Sequence, residues 1–329
     1  MAEETYLVTG GCGFIGSHIV EKLLQKYPSS RVAVLSRNPT ANTFPRATYH
    51  AGDVASADDV TRIVNEVRPT VVFHCAGMMT VGRKTMADEF VRAINVDGTR
   101  NVLEAGKKVG VKAFVTTSSA SVVQKEMFRD IVAGDEGLGL AEEGDDTLIY
   151  PKTKAASDKM TLEYDDPKGM RTCTLRPAAL GDNSNPTTYV GNAADAHIAA
   201  SDKLLTSPEG VAGEAFFITN GPPMKFWDFS RAMWKAAGDE TKIEDVKVVS
   251  LNMALAYAWA MEWFYWFKGE VSPLNRTIVR FACMSRWYNI DKAKERLGWE
   301  PAVGNEEGIR RAVEWFLENE KKLKGKEST

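Results

Sequence analysis

Two side chains near the middle of the sequence have the types and spacing of an acid/base pair. Tyr150 and Lys154 lie four positions apart, so on a helix both project from one face. A phenol has an ordinary pKa of about 10, and a neighbouring ammonium stabilises its anion and lowers that pKa. We therefore expect Tyr150 to exchange a proton with an alcohol or carbonyl oxygen. Most such pairs are surface pairs, but this one follows the hydroxyl-rich residues 116–121 by about thirty positions.

A glycine-rich turn near the N-terminus predicts a phosphate-binding loop. The stretch TGGCGFIG, from Thr9 onward, stands between a strand-like run and an amphipathic helix. Glycines at such a turn let the backbone approach a pyrophosphate, and the helix N-terminus supplies N–H donors and a positive dipole. The predicted dinucleotide contacts are Gly10, Gly13, Phe14, Ile15 and Gly16.

The end of the second strand bears on the choice of dinucleotide. A fold that prefers NAD usually presents an acid there to the ribose 2′-hydroxyl, whereas this sequence has Ser36 and Arg37. A guanidinium and a hydroxyl would suit the 2′-phosphate of NADP. The alternative is that Arg37 is a solvated loop residue, in which case NAD remains the cofactor; the sequence favours NADP slightly.

Two further turns are predicted to contact the cofactor. Asp53 and Val54 suit the adenine amino group, although Asp53 or Ser56 could instead cap a helix. Ala76 and Gly77 follow another strand and are small enough for the ribose and diphosphate to pass. His74, in that strand, is interpreted as a packed histidine, because no second metal-type residue has a suitable spacing.

The elements that must position these residues form an α/β pattern. Apolar, β-branched runs alternate with amphipathic stretches, which predicts a doubly wound parallel sheet of the Rossmann type. Strands are predicted at residues 6–9, 31–35, 71–75, 114–117, 171–175 and 215–219, and helices at 15–26 and 88–109. Residues 1–180 form the predicted dinucleotide-binding domain, with 189–220 returning to it, and residues 221–329 form a smaller, mainly helical substrate-side lobe.

The composition argues against nucleic acid as a partner. A net charge of −3 and a pI of about 5.9 create no field that attracts nucleic acid. Four scattered cysteines suit small buried thiols in a reducing compartment. The catalytic domain follows the N-terminus directly with no signal peptide pattern, so we expect a cytoplasmic enzyme.

Residues 251–267 are almost entirely apolar or aromatic, with only Asn252 and Glu262 as polar interruptions. The run is short for a membrane span and contains an acid. We interpret it as a lid helix beside an apolar pocket; contact with a membrane surface, such as that of the endoplasmic reticulum, is the alternative. Most of its aromatics, among them Tyr257, Trp259, Trp263, Phe264 and Trp266, are expected in the core.

With these motifs in place, the chain resembles an extended short-chain dehydrogenase/reductase, and within that group the 3β-hydroxysteroid dehydrogenase family, which includes the decarboxylating sterol-4α-carboxylate 3-dehydrogenases. The motifs that carry the resemblance are VTGGCGFIGSHIV, FHCAG, NVDGTRNVLEA, TSSASVV, YPKTKAASD, LRPAAL, TYVGNAADAHIAA and WYNIDKAKERLGWEP. They run almost the whole length of the chain.

The resemblance implies a role for each site residue. Ser119, or Ser121 if the register differs, would hydrogen-bond the reacting oxygen, and Tyr150 would exchange the proton. Lys154 would hold the nicotinamide ribose, and Asn95 would support it through a water. Pro177 would lie beside the nicotinamide. The alternatives are that Asn95 is merely a polar helix residue and that the serines only cap a strand end.

The resemblance also implies the reaction. An NAD(P)-dependent enzyme of this kind would oxidise a 3β-hydroxyl on a sterol, steroid or terpenoid, with loss of CO₂ if a 4-carboxylate is adjacent, and would form a homodimer through its long helices. The alternatives are a nucleotide-sugar epimerase or dehydratase on the same scaffold, and a non-catalytic dinucleotide sensor.

One junction departs from the family pattern. Relatives usually carry a longer stretch where Leu180 meets Gly181. Either the substrate pocket is truncated there or the sequence skips a segment of a substrate loop.

Overall fold

The structure, a computed structural model, describes residues 4–79, 87–178, 188–224 and 226–327. Its centre is a seven-stranded sheet in which every neighbouring pair is parallel, in the order β3-β2-β1-β4-β5-β7-β8. A two-stranded parallel pair, β6 and β9, stands apart from it. The predicted doubly wound parallel sheet is confirmed.

The strands are short and mostly buried. They are β1 Thr5–Thr9, β2 Arg31–Ser36, β3 Ala47–Ala51, β4 Val71–His74, β5 Ala113–Thr117, β6 Ile131–Gly134, β7 Arg171–Pro177, β8 Glu214–Ile218 and β9 Arg286–Tyr288. The helices are α1 Phe14–Lys26, α2 Ala57–Val67, α3 Asp88–Arg92, α4 Gly98–Val109, α5 Ile149–Glu163, α6 Val190–Thr206, α7 Phe226–Ala236, α8 Leu251–Lys268, α9 Arg276–Cys283, α10 Asp291–Leu297 and α11 Asn305–Glu327.

The six predicted strands are confirmed to within one or two residues at their ends, but three strands were not predicted. β3 has the sequence ATYHA and is only partly buried at the edge of the sheet, so it lacks the apolar run on which the prediction rested. β6 and β9 have only four and three residues. A strand this short forms because a partner strand pairs with it, so its own sequence pattern does not identify it.

The long helix predicted at 88–109 is present with an interruption. α3 and α4 are joined by a π-helical turn, Ala93–Asp97. Such turns are rare within helices and occur often at functional sites. This one contains Asn95, so the interruption falls on a predicted site residue.

Both faces of the sheet are covered by helices. On one face α1 and α6 pack over a cluster that includes Leu23, Phe73 and Phe216. On the other, α2 and α4 pack over Leu7, Ile63 and Phe114. Strands buried on both faces read as continuous apolar runs, which is why β1, β2, β4 and β5 were recognisable from sequence.

Part of the predicted C-terminal lobe contacts the sheet domain. β9 pairs with β6, and the Asn192 side chain on α6 donates to Val303 O at 2.7 Å. Trp299, 4% exposed, joins the larger core cluster. The proposed domain division at residue 221 therefore remains a prediction.

The aromatic run forms helix α8, but the expectation that most of its aromatics are core residues is wrong. Ala258 is the buried residue of this helix, while Trp263 is 49% and Phe267 76% exposed. The other exposed large side chains of α8 are Leu251, Met253, Tyr257, Trp259, Phe264 and Trp266. A helix that is apolar all round cannot bury every side at the edge of a domain. Among the described residues, no helix combines the length and hydropathy needed to cross a bilayer.

All four cysteines are free. Cys173 is buried and Cys12 and Cys75 are half-buried, as expected for small thiols, whereas Cys283 at the end of α9 is exposed. The expectation of buried thiols is therefore wrong for Cys283.

A buried ion pair connects α5 to the sheet. Arg176 on β7 donates from Nη2 to Asp158 Oδ1 at 2.8 Å and from Nε to Asp158 Oδ2 at 3.1 Å. Ser118, just after β5, donates to the same carboxylate. The Asp158 side chain is fully buried and that of Arg176 is 4% exposed. This two-point contact holds α5 in one position against the ends of two strands.

We expect Asp158→Asn to lower the free energy of unfolding by about 3 kcal/mol or more, because it leaves the Arg176 guanidinium buried without its counter-charge. The matched control is Asp97→Asn, which breaks the exposed pair with Arg100 and should cost less than about 1 kcal/mol. Urea unfolding followed by circular dichroism measures both. Equal effects of the two substitutions would show that the buried pair does not hold α5.

Candidate active site

The turn after β1 requires glycine at two positions. Gly10 has a φ of +68°, and a Cβ there would stand 2.8 Å from Ala76 N. A Cβ on Gly16, in the first turn of α1, would stand 2.3 Å from Gly10 O. Any side chain at these positions would push apart β1, the loop after β4 and α1. The glycines predicted for cofactor binding are thus also what allows the turn to close.

The N-terminus of α1 is suited to an anion. Gly13 is the N-cap residue and no side chain caps the helix, so the first N–H groups, at Phe14 and Ile15, lack intrahelical acceptors. Gly13 and Phe14 are exposed. Free N–H groups and the positive end of the helix dipole fit the diphosphate of a dinucleotide.

At the end of β2, the predicted 2′-phosphate residues lie at the same edge of the sheet. Ser36 is half-buried, and its carbonyl accepts from Gly52 N at 3.1 Å, which joins β2 to the turn after β3. Within the part of the chain that the structure describes, Arg37 is exposed and forms no ion pair. Its guanidinium is therefore available to a phosphate.

The Asp53 turn lies next to this edge. Asp53 Oδ1 accepts from Ala55 N at 3.0 Å, and Ser56 caps α2 by accepting from Asp59 N. Of the two caps that the sequence left open, the structure selects Ser56. Val54 is buried and a Cβ on Gly98 would meet it at 2.9 Å, so Val54 sets how closely α4 approaches the turn.

Asn95 holds the loop after β4. Its Oδ1 accepts from Met78 N at 2.7 Å, and its Nδ2 donates to Met78 O and to Thr153 Oγ1, both at 3.0 Å. These contacts use both amide hydrogens of Nδ2. Asn95 thereby connects Ala76, Gly77 and Met78 to helix α5, one residue before Lys154.

Lys154 is a buried cation. Its Nζ donates to Thr117 O, at the end of β5, at 2.6 Å. Burial lowers the pKa of Lys154 to about 8, while the charge of Asp158 acts in the opposite direction. A Cβ on Gly77 would lie 3.7 Å from Nζ, so the ammonium borders the loop predicted to face the cofactor ribose.

Tyr150 and Ser119 lie together as predicted, but the expected lowering of the tyrosine pKa is wrong. Burial raises the pKa of Tyr150, and a hydrogen bond with Ser119 opposes the rise. The Lys154 ammonium, which donates to the Thr117 carbonyl, does not offset the desolvation of the phenol. Ser119 Oγ also lies 2.9 Å from Ser121 Oγ, which places both candidate serines beside one another.

The Asp158 and Arg176 pair and the histidine contacts were not predicted from the sequence. Asp158 lies four residues after Lys154, on the same helix face, and that spacing was the available signal. His74 is buried between Thr9 Oγ1 at 2.8 Å and Thr99 Oγ1 at 3.0 Å. His74 is 1% exposed, which confirms a packed histidine, and burial lowers its pKa to about 3.

Together these residues surround the C-terminal edge of the sheet. The glycine turn, the Arg37 edge and the Ala76 loop follow β1, β2 and β4, and Ser119, which contacts Tyr150, follows β5. Pro177 ends the neighbouring strand β7. In an open α/β sheet ligands bind at this edge. The arrangement fits a dinucleotide held at α1 with its reactive end near Ser119 and Tyr150; the individual roles stay predictions. The Leu180–Gly181 junction lies outside the described residues.

Comparison with known families agrees with this arrangement. Residues 7–185 and 179–248 match the model of the 3-beta hydroxysteroid dehydrogenase/isomerase family. The two matched segments overlap over residues 179–185, which include the Leu180–Gly181 junction that departs from the family pattern.

Several proteins that are similar to this chain in sequence are named as dehydrogenases. The sterol-4-alpha-carboxylate 3-dehydrogenase ERG26, decarboxylating, of Saccharomyces cerevisiae is 34% identical, covering 96% of this chain and 98% of that protein. The corresponding protein of Schizosaccharomyces pombe is 34% identical, covering 95% and 97%. A 3-beta-hydroxysteroid dehydrogenase of Mycolicibacterium neoaurum is 28% identical, covering 95% and 91%.

Solved structures share the fold at lower identity. The UDP-glucose 4-epimerase of Thermotoga maritima, solved with UDP-glucose, has a TM-score of 0.72 and 22% identity, covering 95% of this chain and 99% of that one. The Bordetella bronchiseptica enzyme WbmH, solved with NAD⁺, has a TM-score of 0.68 and 19% identity, covering 96% and 99%. At this identity the likeness establishes the extended Rossmann fold and no more.

We expect the stability of the chain to rise relative to a Lys154→Met variant between pH 8 and 10.5. Burial lowers the pKa of Lys154 from 10.5 to about 8 in the folded state. Within that window the unfolded chain binds the additional proton, so raising the pH favours the folded state. The gain is at most about 3.5 kcal/mol, since each pKa unit corresponds to about 1.4 kcal/mol.

Urea unfolding of both proteins across this pH range measures the difference. Lys152→Met, on the opposite side of α5, is the control for the loss of a lysine from this helix. A flat difference between the chain and its Lys154→Met variant would mean that Lys154 is not a buried cation.

Proposed function

The chain belongs to the 3-beta hydroxysteroid dehydrogenase/isomerase family, and we propose on that premise that it oxidises the 3β-hydroxyl of a sterol, steroid or terpenoid. It is a nicotinamide-dinucleotide-dependent oxidoreductase of the extended short-chain type. The observation that carries the proposal is the placement of Ser119 and Tyr150 within hydrogen-bonding contact beside the buried Lys154.

Each side chain has a task in this reaction. Ser119 holds the substrate oxygen, and Tyr150, in its phenolate form, accepts the hydroxyl proton as the carbinol is oxidised. An oxidised nicotinamide bound at this edge would supply the hydride acceptor. Lys154 binds the ribose and keeps a positive charge near the developing alkoxide. Asn95 keeps the Ala76 loop and α5 in register, and Pro177 borders the nicotinamide.

Loss of CO₂ is part of the proposal for a carboxylated substrate. A carboxylate on the carbon next to the carbinol becomes a β-keto acid when the carbinol is oxidised. Such an acid releases CO₂ without a further base. The relatives named decarboxylating support this step.

NADP is the proposed cofactor in preference to NAD. β2 ends without an acid, and the exposed Arg37 and the hydroxyl of Ser36 suit a 2′-phosphate. The adenine would lie against the Asp53 turn, whose position is set by the bond between Gly52 N and Ser36 O.

Two partners are proposed beside the apolar substrate. The exposed aromatics of α8, with Lys268 at its end, suit the boundary between water and lipid at a membrane surface.

The outer faces of α4 and α5, where Lys107 and Tyr164 lie together, suit a second copy of the chain. Sedimentation with and without lipid vesicles measures both associations.

We expect the purified chain to reduce NADP or NAD in the presence of 3β-hydroxysterols that carry a 4-carboxyl group. Tyr150→Phe should lower turnover by about a hundredfold or more, because it removes the proton acceptor. Its dinucleotide dissociation constant should stay unchanged. Absorbance of the reduced nicotinamide measures turnover, and Tyr27→Phe, just beyond the end of α1, which removes the hydroxyl that donates to Asp202, is the control.

The outcomes separate the parts of the proposal. Turnover of 3β-hydroxysteroids without the carboxyl group would retain the oxidation and remove the decarboxylation. Turnover of none would move the substrate to another alcohol class. Undiminished activity of Tyr150→Phe would overturn the acid/base assignment.

We expect Arg37→Asp to weaken NADP binding at least tenfold, because a carboxylate replaces the guanidinium that pairs with the 2′-phosphate. NAD binding should be unchanged or tighter. Fluorescence titration with each reduced dinucleotide measures both constants. Arg129→Asp, exposed and remote from β2, is the control; unaltered NADP affinity in Arg37→Asp would show that Arg37 does not bind the 2′-phosphate.

A further inference from the structure

His197 on α6 is connected to Lys154 through Thr117. The histidine is fully buried. Its Nε2 lies 2.7 Å from Thr117 Oγ1, and its Nδ1 lies 2.7 Å from Ala193 O. Thr117 is the residue whose carbonyl accepts the Lys154 ammonium. One residue therefore has its side chain bound by His197 and its carbonyl bound by Lys154.

The hydrogen-bond donors in this series of contacts can be assigned from the acceptors. Ala193 O is a carbonyl and only accepts, so the proton of a neutral His197 ring is on Nδ1. Nε2 must then accept, and the single hydroxyl proton of Thr117 points at it. Burial lowers the pKa of His197 to about 4, so the ring is neutral near pH 7.

The same assignment reaches Cys75. Thr117 Oγ1 lies 3.2 Å from Cys75 Sγ, and its proton is already directed at His197. The thiol must therefore be the donor in that contact. Burial raises the pKa of Cys75 to about 11, so the thiol carries the proton that this requires. The hydroxyl of Thr117 therefore contacts two side chains, that of Cys75 just after β4 and that of His197 on α6.

We propose that His197 is a positioning residue for Lys154: in its Nδ1–H form it fixes the Thr117 side chain, and so the strand-end carbonyl that anchors the ammonium. The inference rests on the proposed function in that Lys154 serves the reaction there. The chain of contacts runs from α6 through the end of β5 to α5, three elements that are far apart in sequence.

His74 provides an internal contrast. Thr99 Oγ1 donates its proton to Asn95 O at 2.7 Å. In its contact with His74, Thr99 Oγ1 must therefore be the acceptor, and His74 Nε2–H must be the donor. Thr9 Oγ1 then donates to His74 Nδ1. The two buried histidines thus have opposite tautomers, and neither assignment depends on the substrate.

The first experiment reads the tautomers directly. Nitrogen-15 spectra of the histidine-labelled chain, which has four histidines, should show His197 protonated at Nδ1 and His74 at Nε2. The variants below assign the His197 signals. Protonation of His197 at Nε2 would overturn the proposal, whether or not the substrate class is correct.

The second experiment uses two matched amides. His197→Asn can donate to Ala193 O but has no atom at the Nε2 position, whereas His197→Gln can accept from Thr117 but cannot reach Ala193 O. Both remove the ring. We expect His197→Asn to lower kcat about tenfold and to weaken dinucleotide binding, since small displacements of a catalytic group have large effects on rate. His197→Gln should retain most of both.

Thr117 supplies a second pair if the histidine variants fail to fold. Thr117→Val removes the hydroxyl and should reproduce the loss, and Thr117→Ser should restore activity. Equal losses for Asn and Gln, or for Val and Ser, would reduce His197 to a packing residue. If no alcohol is turned over, the proposed function fails, and the dinucleotide dissociation constants and tautomers still decide the role of His197.

Discussion

The buried ion pair between Asp158 and Arg176 is the interaction on which the site geometry depends. Two opposite charges taken out of water are tolerable only when each satisfies the other in a specific geometry, and here the carboxylate also accepts from Ser118. The pair therefore allows α5 a single position against β5 and β7. Because Tyr150 and Lys154 are on α5, their distance from the strand ends follows from this contact. The same carboxylate also favours the charged form of Lys154.

Around this contact, the site is built from hydrogen bonds between elements rather than within them. His74, Asn95 and His197 each join two or more segments that follow different strands. In a parallel sheet the carboxyl ends of all strands meet at one edge, so side chains distant in sequence converge there. Buried polar groups must find partners, and at this edge the partners are the loops that would hold the cofactor. Satisfying the polar groups and ordering the cofactor loops are thus one requirement.

The elements of the C-terminal part of the chain differ in whether they find a surface to pack against. Residues around β9, α10 and Trp299 pack against the sheet domain, whereas α8 presents its aromatics outward. A core needs apolar faces opposite one another, and α8 packs mainly against the short helix α9. Hydrophobicity alone predicted burial for this helix, but burial requires a partner surface. An exposed aromatic face of this size is typical of a surface that meets another apolar phase or molecule.

The sequence by itself determined the parallel sheet, the glycine turn and the family, because each depends on local chemistry: apolar runs mark strands buried on both faces, and Gly10 and Gly16 occupy positions that admit no side chain. The Tyr150 and Lys154 pair was also readable from helical spacing. Only the tertiary structure decided that Lys154 binds the Thr117 carbonyl, that burial raises the pKa of Tyr150, and that Asp158, Arg176 and His197 support the site. Those properties depend on desolvation and on partners brought from distant segments, and no local pattern encodes either.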